Sequence, residues 1–108
     1  MENAIFQWEE AYERLQALRS DPGLYEALGA SVLAVEDELR KRLGSSFSIA
    51  ELAALYEGDP LWASERAREA VQRDSPATDM ALAVDAAFYL YMREASDFGG
   101  GSLRARRR

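Results

Sequence analysis

The chain is 108 residues long, 48% apolar and 30% charged, which suits one globular domain with a real core and no more. It contains no cysteine and no histidine, so disulfides, thiolate metal sites and histidine-based acid–base or metal chemistry are excluded. The net charge is −6, but Arg104, Arg106, Arg107 and Arg108 crowd the end, leaving a body with nine basic against nineteen acidic residues that repels nucleic-acid phosphates.

The opening residues, MENAIFQWEE, lack the basic-then-apolar pattern of a signal peptide, so the cytoplasm is the expected compartment. Ile5, Trp8, Tyr12, Leu15 and Leu18 recur every three or four positions and predict an amphipathic helix over 3–19. Glu9, Glu10, Glu13 and Arg14 take its other faces. Asp21 then caps and Pro22 opens a second helix, predicted over 22–43, because proline loses nothing at the first helical position. Its stripe is Leu24, Leu28, Val32, Val35, Leu39 and Leu43. Gly29 and Ser31 lie inside it and permit close approach of another helix. Glu36, Asp37 and Glu38 precede Arg40, Lys41 and Arg42, which suits the helix dipole, and Gly44 ends the segment. The first two helices are expected to pair as an antiparallel hairpin.

Ser48 and Glu51 have the spacing of a capping box, with Phe47 and Leu52 placed as a hydrophobic staple. A third helix is predicted over 49–57, ending at Gly58. Asp59-Pro60 restarts the chain as a fourth, over 60–73, whose small core face is Ala63, Ala67, Ala70 and Val71. Trp62 falls roughly opposite that face.

Ser75-Pro76 introduces the stretch around which the rest must pack, MALAVDAAFYLYM from Met80 to Met92, with Asp85 its single charge. Its alanines favour helix over strand. At thirteen residues it falls short of the roughly twenty a bilayer needs. A helix apolar all round requires neighbours on several sides. The expected fold is therefore all-α, a compact single-domain bundle of about five helices with the C-terminal helix (76–96) central. Residues 1–98 form the domain and 99–108 a flexible Gly/Arg-rich tail.

Paired glutamates such as Glu9 with Glu13, or Glu65 with Glu69, lack the histidines of a di-iron bundle and read as solvated faces. Asp85 reads as an edge position or as bonded to an arginine such as Arg66 or Arg93. Its sharper reading is an acid lining a pocket. Ser45, Ser46 and Ser48 have no base and serve as loop and cap residues. No catalytic, cofactor-binding or metal-binding residue is identified, no cofactor is expected, and the chain is not expected to be an enzyme.

Residues 49–71 resemble a helix-turn-helix motif. Ala54 and Gly58 have the spacing of that family's first helix and turn, and Leu61, Ser64 and Ala67 fall on the apolar positions of its second helix. Ser64 departs from the usual larger apolar residue, and Asp59-Pro60 from the usual turn. The resemblance implies a DNA-binding transcriptional regulator, against which stand Glu65, Glu69 and the acidic body. The leading expectation is instead a small non-enzymatic protein–protein interaction module that binds a protein partner or itself. Its expected surface is Tyr56 and Trp62 with the acids Glu57 and Glu65.

Overall fold

The computed structural model describes residues 2–44, 46–58, 61–71 and 76–97. Five α-helices form there: α1 Glu2–Ala17, α2 Pro22–Leu43, α3 Ile49–Glu57, α4 Leu61–Ala70 and α5 Ala77–Asp97. A 3-10 turn, Leu18–Ser20, joins α1 to α2. No strand occurs among the described residues, and no helix there is long and apolar enough to cross a membrane.

The helix boundaries follow local chemistry. The Asp21 carboxylate accepts from the Leu24 N–H at 3.4 Å, and Pro22 begins α2 as its sequence predicts. Gly44 closes α2 in the left-handed region, φ 70°, with its N–H donating to the Arg40 carbonyl. That conformation strains any residue with a Cβ. At the start of α3 the capping box is complete: Ser48 Oγ accepts from Glu51 N–H at 3.0 Å and the Glu51 carboxylate accepts from Ser48 N–H at 2.8 Å. Ser48→Ala is expected to destabilise the fold by about 1 kcal/mol. A lowered urea midpoint with an unchanged slope checks this.

Two segments differ from the sequence pattern. The last turn of the first helix tightens into 3-10 geometry, and α4 spans Leu61–Ala70, after which the Val71 N–H still reaches back to the Ala67 carbonyl. The expected start at Pro60, continuation to Arg73 and Ser75 cap lie outside the described residues, as does the 99–108 tail. Pro76 itself precedes α5, and its carbonyl accepts from the Asp79 and Met80 N–H groups.

Helix α5 packs against all four others. Met80, Ala83, Val84, Ala86, Ala87, Phe88 and Tyr91 are buried on it, which accounts for most of its circumference. This corrects the expected hairpin. α1 and α2 make little direct contact and instead each lie along α5, because its apolar girth offers both stripes more surface than they offer each other. α4 then packs against both α2 and α5. The buried centre of the α2–α4 contact holds small residues: Ser31, Ala63 and Ala67 are all fully buried, and the Ser31 hydroxyl donates to the Ala67 carbonyl at 2.7 Å. Ser31 thus allows the close approach expected of it, and Ala63, Ala67 and Val71 are buried as α4's core face.

The aromatic centre is Phe88. Trp8 lies 5.4 Å from it, Tyr56 5.2 Å and Trp62 6.4 Å. Trp8 and Tyr56 also meet edge to face at 5.4 Å, a favoured arrangement of ring quadrupoles. A second contact closes the other end. Phe47 stacks on Tyr91 at 5.1 Å, and the Tyr91 hydroxyl donates to the Gly44 carbonyl, tying the α2–α3 connection to α5. Phe47, placed by sequence as a staple for Leu52, thus also stacks on Tyr91.

Candidate interaction surface

The expected surface residues fall into two groups. Tyr56 and Trp62 are half-buried, and both reach Phe88 at the core margin. One face of the Trp62 ring is covered by the Arg42 guanidinium, 4.2 Å from the ring centroid. Glu57 and Glu65 are exposed on α3 and α4. The helix-turn-helix register is not followed on α4: Leu61 is 60% exposed and Ser64 half-buried, while Ala63 rather than Leu61 turns inward with Ala67.

Asp85 sits along an open edge of α5, in line with exposed Thr78 and Ala81. Its carboxyl interacts with the neighbouring Tyr56 hydroxyl, whereas Arg66 pairs with Glu38 and Glu69, and Arg93 lies over the Tyr89 ring. The arginine partner expected from sequence is therefore replaced by a phenol. Burial raises the Asp85 pKa, and the Tyr56 bond opposes that rise. The Tyr56 pKa is raised by its own burial first and by the neighbouring Asp85 charge second. The pair borders an open groove of about 510 Å³ between α1 and α5 that also holds Glu10, Arg14 and Asp79. Burial and the nearby Asp85 charge keep the phenol protonated and leave it a poor acid. Among the described residues no group of three or more Asp or Glu side chains is arranged to hold a metal.

A second open cleft of similar size, about 510 Å³, lies on the outer face shared by α2 and α5. It is lined by Leu33, Glu36, Arg40, Leu90, Arg93 and Glu94. Leu33, mid-way along α2, is 66% exposed, and Leu90 beside it is half-buried. The polar rim is ordered. Arg40 bridges Asp37 at 3.0 Å and Glu94 at 3.1 Å. Glu36 is half-buried between them, and its pKa is pushed up to about 7, first by burial and then by the Glu94 charge, with Arg40 opposing and Asp37 adding. Comparison with protein-family models, curated proteins and solved structures returned no match. The chemistry of the surface therefore rests on these residues themselves.

Gly29 lies on the same face, one helical turn before Leu33. A Cβ built there would meet nothing within 4 Å, so no contact inside the fold uses its missing side chain. Gly29→Ala is accordingly expected to raise the stability of the isolated chain by about 0.5–1 kcal/mol, through a less free unfolded chain and a better helix former. A higher urea midpoint in dilute protein checks it. The sequence stripe points away from this surface. Leu33 is the apolar residue off the Leu28–Val32–Val35–Leu39 line, and that mismatch was the signal available. Leu90 is hidden in an all-apolar run and gives none.

Proposed function

We propose that the chain is a non-enzymatic helical interaction module that docks a protein surface onto the α2–α5 face. Leu33 carries the reading. A single exposed leucine is unremarkable on any protein. Leu33 differs because it adjoins Leu90 and is ringed by Glu36, Arg40, Arg93 and Glu94. An apolar centre inside a polar rim is the anatomy of a protein interface. The half-buried Glu36 supports it, since a carboxyl already short of water loses less when a partner covers it.

The reading moves the docking surface away from Trp62, whose ring is engaged by Arg42 and Phe88. It is tested by placing a photo-crosslinking amino acid at position 33, and separately at exposed Glu13 on α1, in the native host. A discrete adduct from position 33 and none from position 13 is expected. No adduct from either, or the same adducts from both, overturns the assignment.

A further inference from the structure

We infer that the occupant of this face is a second copy of the chain, its α2 antiparallel to the first across a two-fold axis near Leu33; the inference rests on the interaction reading above. The exposed line of α2 is Glu26, Ala30, Leu33, Asp37 and Arg40. Glu26 stands seven positions before Leu33 and Arg40 seven after it. An antiparallel pair crossing at Leu33 therefore sets each Glu26 against the other copy's Arg40, about 10 Å from the axis on either side. Arg93 flanks the same end of the face from α5 and lies over the Tyr89 ring, 5.7 Å away. It supplies a second cation for the incoming Glu26.

The same crossing sets the small residues of one copy against the acids of the other. On one side of the crossing Gly29, four before Leu33, meets Glu36, three after it, and on the other Ala30, three before, meets Asp37, four after. Carboxylates thus meet small side chains rather than one another. The otherwise unused glycine gains a purpose, since the space beside its α-carbon is free to receive the partner's backbone or side chain. Isologous contact of this kind closes on itself and yields a dimer rather than a filament. Each copy carries a net charge of −6, which opposes association overall, so local pairing of opposite charges has to set the register.

Sedimentation of the full chain over a wide concentration range at physiological salt provides the test. A monomer–dimer equilibrium is expected. Leu33→Glu should weaken it by roughly tenfold or more while helicity and the melting temperature of dilute protein stay unchanged. Gly29→Ala should weaken the dimer while raising that melting temperature, a combination that damage to the fold does not produce. Register is read by mixing. Glu26→Arg and Arg40→Glu proteins should each dimerise poorly alone, and together form a heterodimer in which both charge pairs are restored. A wild-type chain that stays monomeric throughout, a dimer indifferent to Leu33→Glu, or variants that fail to associate on mixing overturns the proposal. A monomeric chain whose position-33 crosslink still captures a different protein removes the second copy but keeps the interaction module. Absence of any such crosslink removes both.

Discussion

Replacing Phe88 with alanine is expected to destabilise the chain by about 3–5 kcal/mol, a large part of the roughly 5–15 kcal/mol that a domain of this size has in total. Phe88 is fully buried and touches three other rings, Trp8, Tyr56 and Trp62, which come from α1, α3 and α4. Removing it leaves a cavity whose walls belong to four different helices. The rings of Trp8 and Tyr56 also brace each other, so the site cannot collapse freely. Equilibrium urea denaturation reads the loss. A value under about 1 kcal/mol, the ordinary effect of an average substitution, would mean that α5 does not hold the other helices through this ring.

The second large effect depends on pH and on Glu36. Its carboxyl has a pKa near 7 in the folded chain against an ordinary 4.5, so between those values the folded state holds a proton that the unfolded chain has released. Stability therefore falls as pH rises through that window: the contribution is complete below 4.5 and lost above about 7. A shift of this size corresponds to at most about 3 kcal/mol. Partial exposure of the side chain lowers the expected effect to about 1–2 kcal/mol. Asp85 is shifted the same way and adds to the slope, so the informative quantity is the difference between wild type and Glu36→Gln. The variant should gain most at pH 8 and nearly nothing at pH 4. A constant difference across that range would place Glu36 in water.

Much of the architecture is legible from residues whose local chemistry has one solution. Asp21-Pro22 and Ser48-Ile49-Ala50-Glu51 satisfy helix N-termini wherever the rest of the chain lies, and the bounds of α2 and α3 follow from them. The central place of α5 is legible because no other segment is apolar on every side. Pairing is less so. The stripes of α1 and α2 match each other as well as they match α5, and the choice depends on available surface, which periodicity does not encode. The candidate surface was hidden for a related reason. Trp62 draws attention by lying off its own helix's core face, yet a bulky ring can reach round to Phe88, and Arg42 covers what remains. Leu33, smaller and off the buried line of its helix, cannot reach back and is left outside. Asp85 shows the limit from the other side: a carboxylate in an apolar run signals a partner, but an arginine and a tyrosine hydroxyl are equally good answers until the helices are placed.

The dependence of α1 through α4 on α5 sets an order of events at the ribosome. Nascent α1 and α2 leave the exit tunnel with their oily faces bare, since the α5 surface that covers them is made later. Docking Trp8 on Phe88 must wait for eighty further residues of synthesis. A helical protein with such distant partners folds more slowly than its helix content suggests.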